Sequence, residues 1–228
     1  MNLLLIPGFM ADASLWDAVT PALGALGPLS HGDLSQAADI PEMARQVLAA
    51  APPRFAAIGF SMGGYVAREI ARLAPDRLQA VVLVATSARA DTPERARRKL
   101  AAVARARQSG FAGLSRAAVA ESLHPDRAGD QTLIEQVRGM GDRLGAAVFL
   151  RQAGMARIGD LDRLGQIRAP TLVIAARQDR LRSLAEAAEL QAGIPGAQLR
   201  VIEGSGHMLP IEAPGAFCAA VIPWLRQV

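Results

Sequence analysis

The chain alternates between short, almost wholly apolar runs and longer stretches with helical spacing. The apolar runs are Leu3–Ile6, a weaker one at Pro28–His31, then Phe55–Ile58, Gln79–Ala85, Thr171–Ala176 and Gln198–Ile202. Runs this short with few polar interruptions predict strands buried on both faces. Helical patterns fall at Ile40–Ala51, Gly63–Ala74, Ser183–Ala192 and Glu212–Leu225, and prolines at 52, 53, 75, 170, 195 and 210 mark the boundaries. Strand–helix alternation predicts an α/β fold: a doubly wound, mostly parallel sheet of about six strands with helices on both faces. Residues 89–166 break the rhythm. They hold no convincing strand, and Thr92-Pro93-Glu94 begins a series of Ala/Arg/Leu-rich segments as an N-cap followed by proline at the first helical position. A helical excursion between two parallel strands predicts an inserted lid, so the expected division is a core of 1–88 and 167–228 with a helical cap of 89–166.

Composition narrows the classes. The 228 residues suit one domain with a small insertion, and 51% hydrophobic residues exclude a disordered chain. No apolar run approaches the roughly 18 residues of a membrane span, and the start, Met1-Asn2-Leu3-Leu4-Leu5-Ile6-Pro7-Gly8, has neither the basic lead nor the apolar length of a signal peptide. The net charge of +4 is almost all arginine, densest at Arg95, Arg97, Arg98 and Lys99, then Arg105 and Arg107. No aromatic residues accompany that cluster, so a solvated helix face is expected rather than a nucleic-acid patch. One cysteine, Cys218, excludes an internal disulfide and is consistent with a reducing, cytoplasmic setting. A small-molecule substrate is expected, with no nucleic-acid or membrane partner; monomer and homodimer are not distinguished.

The chemistry begins at Gly59-Phe60-Ser61-Met62-Gly63. With 21 glycines in the chain, G-x-S-x-G alone is a weak signal, but here a strand runs into it and a helix with Val66, Ile70 and Leu73 leaves it. That context predicts a sharp strand-to-helix turn that lifts the serine to the carboxyl edge of the sheet above a helix N-terminus. A serine needs a base, and an imidazole, with an unperturbed pKa near 6.5, can take and return a proton at neutral pH. Of the three histidines, His207 in Gly204-Ser205-Gly206-His207 follows the last strand on a loop able to reach that edge. His31, ending the second strand, is the second candidate; His124 before Pro125 falls in the lid. Asp179, just after Thr171–Ala176, is the expected carboxylate, with Asp91, Asp160 and Asp162 as substitutes. A cap or an ion pair with Arg177 or Arg180 is its alternative role. The backbone N–H groups of Phe9 and Met62 are the expected oxyanion donors. Met10, Tyr65, Phe149 and Met155, with Phe9 and Met62, are candidates for the substrate-pocket wall, although each could equally be core.

The elbow, the loop after the first strand, the acid turn and Gly206-His207 together resemble the α/β-hydrolase superfamily over most of the chain. Among its members the chain looks like small capped carboxylesterases, including the methyl esterases of biotin synthesis. The order Ser61, Asp179, His207 is the order that family requires. The resemblance implies an eight-stranded parent sheet, no metal and no cofactor. Three features depart from it. The chain begins at what would be the third parental strand; Pro7 stands where a histidine usually precedes the loop glycine; and Ala176 stands where the acid turn often has glycine. The expected activity is ester hydrolysis through an acyl-enzyme. C–C bond or lactone hydrolysis, acyl transfer, and a ligand-binding protein without turnover are the alternatives. A haloalkane or epoxide hydrolase would need a carboxylate at position 61.

Overall fold

A computed structural model describes all 228 residues. In chain order the elements are β1 (Leu3–Ile6), α1 (Thr20–Gly24), β2 (Leu29–His31), α2 (Ile40–Ala50), β3 (Phe55–Phe60), α3 (Met62–Leu73), β4 (Leu78–Val84), α4 (Pro93–Ser109), α5 (Arg116–Ser122), α6 (Gln131–Gly154), β5 (Thr171–Ala176), α7 (Leu184–Gly193), β6 (Gln198–Ile202), α8 (Leu209–Glu212) and α9 (Pro214–Leu225). The six strands form one sheet in the order β2-β1-β3-β4-β5-β6, every pair parallel.

The apolar runs become strands because both of their faces are covered. Successive side chains on a strand point to opposite sides. Leu3 and Leu5, with Ile58, Val82 and Ile174, join an apolar cluster that includes Phe217 and Val221 of α9; Leu4 and Ile6, with Ala57, Leu83 and Val173, join another that includes Val47 of α2, Val66 and Ile70 of α3 and Leu190 of α7. The last helical pattern, expected from Glu212, begins at Pro214, with a separate short helix before it. Pro214 lacks the N–H needed to continue a helix, so α8 ends at Glu212 and α9 begins at Pro214.

Two topological facts position the site. The chain moves from β1 to one side for β2, then returns to the other side of β1 for β3, so the order reverses between β1 and β3. In open parallel sheets a crevice forms at the carboxyl ends of such a pair. Ile6 pairs with Gly59, which brings the loop after β1 level with the turn after β3. The excursion of α4, α5 and α6 leaves between the neighbouring strands β4 and β5. Gly145, at φ 76°, interrupts α6. The N-terminal part of α6 and α5 contribute Val119, Ile134, Val137 and Met140 to the main apolar cluster, whereas Val148, Phe149 and Ala153 pack with Val103 of α4 and Met10 in a separate cluster of five buried residues.

Candidate active site

Ser61 sits at the apex of the β3–α3 turn with φ 50° and ψ −109°, a left-handed conformation that non-glycine residues adopt only when their surroundings hold them there. The surroundings are specific. Its N–H donates to the Val84 carbonyl at 2.8 Å, and its carbonyl accepts from Thr86 Oγ1 at 2.6 Å. Gly63 is required by crowding: a Cβ there would lie 2.3 Å from the Ile6 carbonyl oxygen and 2.4 Å from that of Pro7. The turn is thereby pressed against the loop after β1, where a Cβ on Gly8 would meet the Phe60 ring at 2.8 Å and Ser61 Cβ at 3.3 Å.

Ser61 Oγ lies 3.0 Å from His207 Nε2, and His207 Nδ1 lies 2.7 Å from Asp179 Oδ2. The sequence separations are 146 and 28 residues. The side chains of His207 and Asp179 are 7% and 1% exposed, so the chain of hydrogen bonds is shielded from bulk water. Burial alone would raise the Asp179 pKa. The charge and hydrogen bond of His207, together with the backbone N–H groups of Arg182 and Leu181, outweigh it and hold the carboxyl below its ordinary value. These N–H groups donate to Oδ1 at 2.9 and 2.7 Å. An ionised carboxylate only accepts, so His207 Nδ1 carries the proton and Nε2 presents its lone pair to the Ser61 hydroxyl.

The histidine loop is held from the rear. The His207 N–H donates to the Ser122 carbonyl at 2.8 Å. The buried Glu212 carboxylate accepts from the N–H of Gly206 at 2.9 Å and of His124 at 2.8 Å, joining the loop to the end of α5 within the helical excursion. The Phe60 ring packs against the imidazole, with centroids 5.0 Å apart.

Two backbone N–H groups, that of the residue after the serine and that of Phe9 in the loop after β1, lack an acceptor within the protein. Met62 is the first residue of α3, so its N–H has no intrahelical acceptor. The Phe9 N–H has no acceptor within the protein, whereas the next N–H, that of Met10, donates to Gln152 Oε1 at 2.8 Å. Met10 has φ 50°. Gln152 also donates to the Leu34 carbonyl at 3.1 Å, so a side chain of α6 braces the loop in which Pro7 stands.

Ser61 and His207 open onto a cavity of about 340 Å³. Its apolar wall includes Phe9, Met10, Phe60, Leu114, Val137 and Met140. Of the pocket residues expected from the sequence, Phe9 and Met10 line it, and Tyr65, Phe149 and Met155 do not. Tyr65 is directed away by its hydroxyl, which donates to the Arg89 carbonyl at 2.8 Å, with its ring beside Arg68 and Arg157. Phe149 stacks on Phe111 at 4.6 Å within the excursion, and Met155 belongs to the core on the α2–α3–α7 side of the sheet. Met62 is likewise buried in that core, leaving only its backbone at the site.

The other candidates are engaged elsewhere. His31 is exposed at the end of β2, outside the cavity. His124 Nδ1 accepts from the Asp126 N–H, capping a short turn. Asp91 pairs with Lys99 and Arg157, Asp160 with Arg68 and Arg72, and Asp162 is exposed in the Leu161–Gln166 turn. Arg177 pairs with Glu203 and Arg180 donates to the Ala120 carbonyl, so neither neutralises Asp179. The arginine-rich helix α4 is not wholly a solvated face. Arg97, Arg98, Arg105 and Arg107 are exposed, but Arg95 and Lys99 turn to the cavity, where Arg157 and Arg182 join them. No group of three or more His, Cys, Asp or Glu side chains converges as a metal site, and no helix is long and apolar enough to cross a membrane.

Comparison with known proteins agrees with this architecture. A pimeloyl-[acyl-carrier protein] methyl ester esterase of Vibrio atlanticus is 27% identical over 256 residues, covering 99% of this chain and 95% of that protein. The corresponding esterase of Klebsiella pneumoniae is 37% identical, but the match spans only 38% of this chain and 37% of the relative. Among solved structures, a thermophilic esterase from Thermogutta terrifontis superposes with a TM-score of 0.85 at 26% identity, covering 100% of this chain and 90% of that one. Residues 28–214 match the alpha/beta hydrolase fold family, to which this chain therefore belongs.

Proposed function

We propose that the protein is a serine hydrolase that cleaves carboxylic esters, with Ser61 as nucleophile, His207 as general base and acid, and Asp179 as the carboxylate that orients the imidazole. The observation that carries this is the unbroken hydrogen-bond chain from Asp179 through His207 to Ser61 Oγ at the floor of a cavity. The names of the relatives, methyl ester esterases and esterases, favour an ester over other acyl substrates.

In this mechanism Ser61 Oγ attacks the ester carbonyl as His207 Nε2 takes its proton, and Asp179 stabilises the imidazolium. The N–H groups of Phe9 and Met62 receive the oxyanion, and such donors are worth about 10²–10³ in rate each. His207 then protonates the departing alcohol. A water deprotonated by His207 attacks the acyl-enzyme, releases the acid and restores Ser61. Residues 1–88 and 167–228 act as the catalytic core, and 89–166 as a cap that covers the cavity and selects the substrate. A single half-buried cysteine, Cys218, supports a reducing, cytoplasmic site of action.

Labelling with a fluorophosphonate tests the assignment. The wild type is expected to form a stoichiometric adduct on Ser61 that Ser61→Ala and His207→Ala lose. A wild-type protein that stays unlabelled while folded would remove the serine-hydrolase assignment.

A further inference from the structure

Outside the triad, the cavity carries a feature that ester cleavage does not use. Four cations line it: Arg95 and Lys99 from α4, Arg157 from the segment after α6, and Arg182 from the turn after Asp179. Arg157 and Arg182 have side chains only 11% and 10% exposed, and the Nε of each is buried with no hydrogen-bond partner. A guanidinium offers five N–H donors. Arg182 has one distant acceptor, Glu186 Oε1 at 3.5 Å, and Arg157 has only Asp91 Oδ1 at 3.6 Å. The acidic groups nearby are largely committed. Asp91 is shared with Lys99 at 2.6 Å, and Glu186 accepts from the Ser183 N–H at 2.7 Å in a helix cap. Glu121, the one acidic residue in the cavity wall, is exposed. Burial, and next the repulsion of Arg157, depress the Arg182 pKa. Buried guanidinium groups left short of acceptors are costly, and a bidentate carboxylate is the ligand that matches their planar fork.

We propose that Arg182 and Arg157 form an anion subsite, and that the preferred substrate is an ester of a short acid carrying a second, ionised carboxylate, held by these guanidinium groups while its ester carbonyl lies at Ser61. The cavity of about 340 Å³ is at the small end for ligand sites, which keeps the acid short. This inference rests on the serine-hydrolase assignment above.

The test pairs monomethyl glutarate with its neutral isostere, methyl 5-methylhexanoate, and reads the ratio of their kcat/KM values. The wild type is expected to prefer the anionic ester by about tenfold or more, the scale of a hydrogen bond to a charged group. The ratio should collapse toward unity in Arg182→Gln and in Arg157→Gln, with partial recovery in Arg182→Lys. Because Arg182 and Arg157 sit among buried groups, folding of each variant is checked by its melting curve, and two separate sites guard against one failing to fold. A wild type that favours the isostere, or a preference that survives both substitutions, overturns the anion subsite while leaving fluorophosphonate labelling of Ser61 intact. If neither ester turns over, calorimetric titration with glutarate decides: binding lost in both variants supports the subsite, and no binding to the wild type refutes it. Absence of labelling counts against the serine-hydrolase assignment alone.

Discussion

At the level of single residues, the site depends on conformations that only particular side chains permit. Gly63 is the clearest case, because the smallest addition meets two backbone oxygens of the β1 segment that have nowhere to move. Gly63→Ala should destabilise the fold by about 1–3 kcal/mol through overpacking and lower kcat further by displacing the N–H groups proposed as oxyanion donors. Urea unfolding and ester kinetics would check the two effects, and wild-type values for both would contradict the crowding. Asp179→Asn keeps the shape but replaces an acceptor-only group with one that can also donate. The imidazole can then adopt the wrong tautomer, and a loss of about 10⁴-fold in kcat is expected. Ser61 and His207 were legible in the sequence because their signals are local: a glycine-flanked serine between strand and helix, and a glycine-flanked histidine after the last strand. Tyr65, Phe149 and Met155 were not, since an apolar side chain carries no local mark of whether it faces a cavity or the core.

At the level of elements, the inserted helices reach the loops around the site. Gln152 on α6 reaches across 142 residues to accept the Met10 N–H and so holds the loop that carries Phe9. In the proposed mechanism it is a positioning residue. Gln152→Ala should lower kcat about 10- to 100-fold with little change in KM, since in the proposed mechanism the loop serves the oxyanion rather than the bound ester. A change in KM alone would point to a simple pocket wall instead. Glu212 performs the same task for the histidine loop, holding Gly206 and His124 from one carboxylate. The start of the insertion could be read from Thr92-Pro93, because a cap is a matter of adjacent residues, and the Thr92 hydroxyl does accept from the Arg95 N–H. Its bracing contacts could not, because they pair groups far apart in the chain. The sequence also suggested that α4 carries only a solvated charged face; helical spacing shows which residues share a face but not what that face meets, and Arg95 and Lys99 meet the cavity.

For the whole molecule, the last stretch of the insertion is anchored to α3 by buried charge. Arg68 is fully buried and donates to both oxygens of Asp160 at 2.9 and 2.8 Å, with Arg72 adding a third contact at 3.0 Å. Asp160→Asn leaves an uncompensated buried guanidinium, and a loss of about 3–5 kcal/mol in unfolding free energy is expected. Burial would raise the Asp160 pKa, but the hydrogen bonds and charges of Arg68 and Arg72 prevail and lower it. Asp179 is lowered too. A carboxyl that binds its proton less readily when folded contributes its full stabilisation above its ordinary value of 3.8 and loses it as the pH falls through the folded value. Unfolding free energy should therefore drop steeply below about pH 4, and less steeply in Asp160→Asn; equal slopes would show that the pair is not linked to acid stability. The sequence by itself determined the class of sheet, the helical stretch between β4 and β5, and where Ser61, Asp179 and His207 fall along the chain. Each of these follows from periodicity or from neighbours within a few residues. Only the tertiary structure decided which apolar side chains wall the cavity, that Gln152 of α6 braces the loop after β1, and that two arginines meet the cavity short of acceptors. Those outcomes depend on how distant segments pack, and burial and pairing are properties of the packed whole.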